Sequence, residues 1–219
     1  MTDRRQEIEA ALTQLRSEIA PFDPTLIVVT KTYPISDVEI LHSHGVRDFG
    51  ENRNEEGSLK GPAISGRWHY QGKLQSKKLR SILSWADVIH SLDDLRHAEK
   101  IHEILSQSGE SIELFIQLSL DGDPSRGGVR AEQLNLFADR LYELGQITLL
   151  GLMCVPPVEV DPAEAFSEIA SIHQEFSRNY PDSQALSAGM SGDYLIALEH
   201  GATHIRVGSK ILGPRDYPQ

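Results

Sequence analysis

Residues 184–209 read QALSAGMSGDYLIALEHGATHIRVGS. A short apolar run (184–189) leads through a Ser- and Gly-rich loop into a helical pattern from Ser191 to His200, which Gly201 closes. A second β-branched run (204–209) follows. Parallel neighbours in a sheet need a crossover connection, usually a helix, so this is the repeating unit of a parallel α/β fold.

The same grammar recurs along the chain. Leu26–Thr30 (LIVVT), bounded by Pro24 and Pro34, suits a strand buried on both faces. Further candidate strands are 47–51, 67–72, 87–92, 112–118 and 149–154, which with 26–30, 184–189 and 204–209 make eight. Helical patterns lie between them. Ser36 with Glu39 reads as a capping box before a helix stopped by Gly45, and Leu95, Ala98, Ile101 and Leu105 form one apolar stripe. Leu134, Phe137, Leu141 and Leu144 form another, and Asp161-Pro162-Ala163-Glu164 is a strong helix start before Phe166, Ile169, His173 and Phe176. Ile8, Leu12, Leu15 and Ile19 mark a leading helix ending before Pro21. Eight strands alternating with helices, without a linker or composition break, predict a single domain over 1–219: a (β/α)8 TIM barrel with an N-terminal helix. The competing doubly wound sheet would carry a GxGxxG fingerprint, but Gly189 and Gly192 have the wrong spacing.

Composition narrows the function. With 21 Lys+Arg against 32 Asp+Glu, the net charge is −11, which opposes a nucleic-acid partner. No apolar run approaches the roughly 20 residues of a membrane span. Residues 1–20 alternate charged and apolar positions, unlike a signal peptide, so the expected location is cytoplasmic. The single Cys154, within GLMCVPP, reads as a buried core thiol.

In such a barrel, reactive groups sit at the C-terminal ends of the strands. Lys31, after the first strand, can present an amine that attacks a carbonyl, or be an ordinary solvated lysine. The loops after strands seven and eight carry Ser187, Gly189, Ser191, Gly192, Gly208 and Ser209, a composition that suits phosphate, although Ser191 can equally cap its helix. Arg206 alternates with Ile205 and Val207. It is therefore expected inside the barrel, where it needs a ligand or an ion pair with Glu51 or another acid. Metal sites are not expected: His42 and His44 diverge on a helix, and Gly201 interrupts His200 and His204. The Asp121–Glu132 string has Arg126 where a calcium loop needs Gly. Gly189-Met190-Ser191 lacks the second Gly of a nucleophile elbow.

A lysine, a phosphate cradle and an interior arginine at one barrel mouth describe a site for a phosphorylated aldehyde held as a Schiff base. The segments VVTKTYP (28–34), FGENR (49–53), WHYQGKLQSKK (68–78), GLMCVPP (151–157) and LSAGMSGDYLIALEHGATHIRVGSKILGPRDY (186–217) together resemble the pyridoxal phosphate homeostasis protein family, which is similar in fold to the alanine racemase N-terminal barrel domain. The resemblance implies pyridoxal 5′-phosphate (PLP) as cofactor, bound to Lys31 as an internal aldimine. It places Ser187, Met190, Ser191, Gly208 and Ser209 at the phosphate, Arg206 at the pyridine nitrogen and Asn52 beside the ring. Three positions depart from the family pattern: Tyr33 fills a variable position, Gln71 replaces an aliphatic residue, and Ser209 stands where Thr is common. His69 and Gln75-Ser76-Lys77 match family motifs but receive no role. The expected function is PLP binding and delivery by a monomer, without turnover of its own and with apo PLP enzymes as transient recipients. A PLP-dependent racemase is the alternative, and a Schiff-base aldolase a further one. A racemase of this type uses a second domain, for which the chain ending at Gln219 leaves no residues.

Overall fold

In the computed structural model, residues 3–214 are described; Arg215-Asp216-Tyr217, the end of the long C-terminal motif, lies outside them. Eight strands form a closed parallel barrel: β1 (Thr25–Val29), β2 (Asp48–Glu51), β3 (Arg67–Tyr70), β4 (Val88–Leu92), β5 (Ile112–Ser119), β7 (Ile147–Cys154), β8 (Ala185–Ser187) and β9 (His204–Val207). The order is β4-β3-β2-β1-β9-β8-β7-β5, and pairing of β4 with β5 closes the ring. A short strand, β6 (Val129–Arg130), adds to β5 outside the ring and was not expected.

The helices are α1 (Arg4–Ile19), α2 (Ile35–Ser43), α3 (Asn54–Lys60), α4 (Leu79–Leu83), α5 (Leu95–Ser106), α6 (Leu134–Tyr142), α7 (Pro162–Asn179), α8 (Tyr194–Glu199) and α9 (Ser209–Leu212). The leading helix α1 buries Ile8, Leu12, Leu15 and Ile19 as its spacing predicts, and packs against α2 and α9. Asp161 caps α7 by accepting from the backbone N–H of Ala163 and Glu164. No helix among the described residues is long and apolar enough to cross a membrane.

Two helix starts differ from expectation. The Ser36–Glu39 box does not cap α2, because Pro34 occupies the cap position with an extended backbone and the helix begins at Ile35, placing Ser36 inside the first turn. Nor does α8 begin at Ser191. Met190 N–H donates to Asp193 Oδ1 and Asp193 N–H to Met190 O, so 190–193 form a turn and the helix starts at Tyr194.

Strand alternation separates two interiors. Phe49, Trp68, Ile89, Leu114, Ile205 and Val207 belong to the main core, while a small separate cluster of Val88, Phe115 and Met153 lies within the barrel. Ile27 and Val29 share that inner face, and beside these apolar groups stand four buried polar side chains, His69, His90, Ser187 and Arg206. At the β8 exit, Gly189 takes φ +91°, and an added Cβ would meet Ala197 Cβ at 2.7 Å and Tyr194 Cα at 2.9 Å. Gly189→Ala is accordingly expected to lower the unfolding free energy by about 1–3 kcal/mol, read from the urea midpoint.

Candidate functional site

The C-terminal ends of β1, β2, β7, β8 and β9 converge on one cavity of about 270 Å³. Of the eight residues singled out from the sequence, Lys31, Asn52, Met190, Ser191, Arg206, Gly208 and Ser209 line it. Lys31 follows β1 by two residues and is half-buried. Val29, Gln71, Met153 and Val155 complete much of the wall and were not anticipated. Their signal was positional only, since each lies at the C-terminal end of a barrel strand or just beyond it.

Ser187 does not reach the cavity. It is fully buried beneath it, where Arg206 Nη1 donates to both its carbonyl and its Oγ at 2.7 Å. Its β8 position turns the side chain into the closed barrel interior rather than toward the mouth. Ser191 does line the mouth, where its Oγ accepts from Gly208 N–H (3.2 Å) and Lys210 N–H (3.4 Å) and joins the two glycine- and serine-bearing loops.

Arg206 is 5% exposed and forms no ion pair with Glu51. Nη1 uses both hydrogens on Ser187 and Nη2 gives one to Cys154 O at 3.0 Å, all neutral acceptors. Three of its five N–H groups are thereby taken, leaving one on Nε and one on Nη2 for an acceptor in the cavity. Burial lowers its pKa to about 10, so it remains a cation at neutral pH. Burial pushes the Cys154 thiol up to about 12, which fits the inert core thiol expected.

Glu51 meets Lys60 instead. The buried ammonium donates to Glu51 Oε1 (2.7 Å), Thr30 O (2.8 Å) and Glu56 Oε2 (3.1 Å), using all three hydrogens. Thr30 Oγ1 donates to Glu51 Oε1 at 2.6 Å, and Thr32 N–H donates to Glu56 Oε2 at 2.6 Å. The residues on both sides of Lys31 are therefore tied to α3 and β2. Burial raises the Glu51 pKa against the lowering effect of Lys60. Sequence reading missed this clamp because 54–60 (NEEGSLK) has no apolar stripe. α3 instead packs through Gly57, where a Cβ would lie 2.2 Å from the Trp85 ring.

Two polar atoms in the cavity wall, Asn52 Oδ1 and Gln71 Nε2, are buried without a hydrogen-bond partner. Such atoms are costly unless a ligand or water satisfies them. Among the described residues no group of three His, Cys, Asp or Glu side chains could hold a metal ion.

A family model described as alanine racemase, N-terminal domain, matches residues 4–216. A Corynebacterium glutamicum protein named pyridoxal phosphate homeostasis protein is 40% identical over 202 residues, 87% of this chain and 90% of that one. The structure of PipY from Synechococcus elongatus with PLP bound superposes with a TM-score of 0.86 at 33% identity, covering 94% of this chain and all of that one. Alanine racemase of Clostridium difficile shares the fold, with a TM-score of 0.76 at 15% identity over 98% of this chain and 57% of its own.

Lys60→Met strands the buried Glu51 carboxylate and is expected to cost about 3–5 kcal/mol in chemical denaturation, largely recovered by adding Glu51→Leu. Burial lowers the His69 and His90 pKa values and brings His204 from 6.5 to about 4. The unfolded chain thus binds protons that the folded chain refuses, so stability falls as pH drops from about 6.5 toward 4. Denaturation midpoints across that range should fall less steeply in His204→Gln.

Proposed function

The chain belongs to the pyridoxal phosphate homeostasis protein family, on the alanine racemase N-terminal domain fold, and from that premise we propose that it binds PLP in the Lys31–Arg206 cavity and holds it for delivery. The observation that carries this reading is one cavity lined by a lysine amine, a buried arginine with two uncommitted N–H groups, and the Ser/Gly loops after β8 and β9. The unpartnered Asn52 Oδ1 and Gln71 Nε2 further suit a polar, ring-bearing ligand.

Bound there, PLP would supply an aldehyde that condenses with a primary amine and a pyridine ring that withdraws electrons. Lys31 carries the amine, and the clamp on Thr30 and Thr32 restrains the loop that presents it. Ser191, Gly208 and Ser209, with Met190 beside them, line the cavity and would receive the phosphate. Asn52 would stand beside the ring. Arg206, still protonated at neutral pH, would donate a hydrogen bond to the ring nitrogen without surrendering a proton to it. An unprotonated ring nitrogen withdraws electrons weakly, which suits a protein that holds the cofactor rather than turns substrate over. We take the protein to be a cytoplasmic monomer that hands PLP to apo-enzymes; size-exclusion chromatography is expected to give a single monomeric species.

Purified protein mixed with PLP is expected to develop a visible absorption band that Lys31→Ala abolishes. A protein that stays colourless and takes up no PLP overturns the reading. Racemisation and transamination by the loaded protein are expected at background, and robust turnover would make it an enzyme instead.

A further inference from the structure

Behind Arg206 a line of polar side chains continues from Ser187 through the barrel interior, away from the ligand cavity. Ser187 Oγ lies 2.9 Å from His90 Nδ1, His90 Nε2 lies 2.9 Å from His69 Nδ1, and His69 Nε2 lies 3.1 Å from Asp48 Oδ1. Ser187 and His90 are wholly buried and His69 is 1% exposed, whereas the Asp48 side chain is 26% exposed at the start of β2. The interior of a barrel of this type is ordinarily filled by branched apolar side chains, so a polar file through it needs a reason.

We propose that Asp48, His69, His90 and Ser187 form a one-way hydrogen-bond chain that positions Arg206 for its ligand, with every hydrogen directed away from Arg206 toward Asp48 and both imidazoles in the neutral Nε2–H form. The direction follows from the two ends. A carboxylate only accepts, so His69 Nε2 carries a hydrogen. In a neutral ring, His69 Nδ1 then accepts, which makes His90 Nε2 a donor and His90 Nδ1 an acceptor. The Ser187 hydroxyl must donate to His90 Nδ1, which leaves its lone pairs for Arg206 Nη1. Arg206 can only donate, so the far end agrees. Every link is matched, and a reversal at any ring would set two donors or two acceptors face to face.

The surroundings favour neutral rings. His90 stacks on Phe115 with centroids 4.4 Å apart. The charged or titratable groups facing the two rings are Asp48 on β2, Arg67 on β3, Asp87 before β4, and His204 and Arg206 on β9; at His69 burial outweighs the two acids, at His90 burial and the neighbouring basic groups act together, and both rings are held below the ordinary histidine value. His90, His69 and Asp48 are therefore positioning residues. They fix which way the Ser187 hydroxyl points, and so keep Nη1 of Arg206 committed and its remaining N–H groups turned to the cavity. The role of Arg206 toward PLP rests on the function proposed above, whereas the direction of the chain does not.

Nitrogen-15 NMR of the histidine rings in the PLP-free protein tests the direction. At neutral pH both His69 and His90 are expected as Nε2–H tautomers, and an imidazolium or an Nδ1–H form at either ring overturns the chain. His90→Phe keeps a ring against Phe115 but removes the acceptor for Ser187, and is expected to raise the Kd for PLP about tenfold, the cost of weakening one hydrogen bond to a charged group. His90→Gln, with an amide that can accept from Ser187 and donate to His69, should restore most of that affinity. Unchanged PLP affinity in His90→Phe refutes the positioning role. If the wild-type protein takes up no PLP, the ligand reading fails while the tautomers still decide the chain.

Discussion

A guanidinium sealed inside a β-barrel is the constraint around which this molecule is organised. Arg206 retains its charge in a place from which water is largely excluded, and burying a charge is costly unless its donors are matched. Among the described residues no carboxylate pairs with it. Its partners are the Cys154 carbonyl at the end of β7 and the carbonyl and hydroxyl of Ser187 at the end of β8. These acceptors exist only where three neighbouring strands end together, so the charge depends on closure of the barrel and the cavity above it depends on the charge.

The lysine side of the cavity follows a different physical plan. Lys31 lies on a turn beyond the end of β1, next to Thr32 at φ +70°, and such a turn has little stiffness of its own. Stiffness comes from a second buried cation, Lys60, whose three hydrogens are shared among Thr30, Glu51 and Glu56. One cation is thus held by neutral dipoles to face a ligand, and the other by carboxylates to hold the backbone. Both lie close to the same mouth, yet their partners keep their roles apart.

Much of this organisation was legible in the residues. Strand periodicity located all eight barrel strands, and alternation put Arg206 opposite Ile205 and Val207, which do pack in the outer core. Seven of the eight residues singled out from the motifs line one cavity, because strand C-termini in a closed parallel barrel all reach the same face. Motif membership says nothing about depth: Ser187, the last residue of β8, faces inward and lies buried beneath the cavity. The segment 54–60 was unreadable for a local reason. α3 buries a lysine, an asparagine and a glycine rather than an apolar stripe, so hydrophobic periodicity could not reveal it.

What the sequence determined by itself was the repeating strand–helix unit, the helical lead, and which residues stand at strand ends, all set by patterns spanning a few positions. Only the tertiary structure decided the partners: that Glu51 serves Lys60 and not Arg206, that Gln71 turns its amide into the cavity wall, and that His69, His90 and Ser187, up to 97 residues apart in the links of their chain, stand in one file. Those pairings join side chains from different strands across the interior of a closed ring. Their distances are fixed by the register and closure of the barrel, which no local stretch of residues contains.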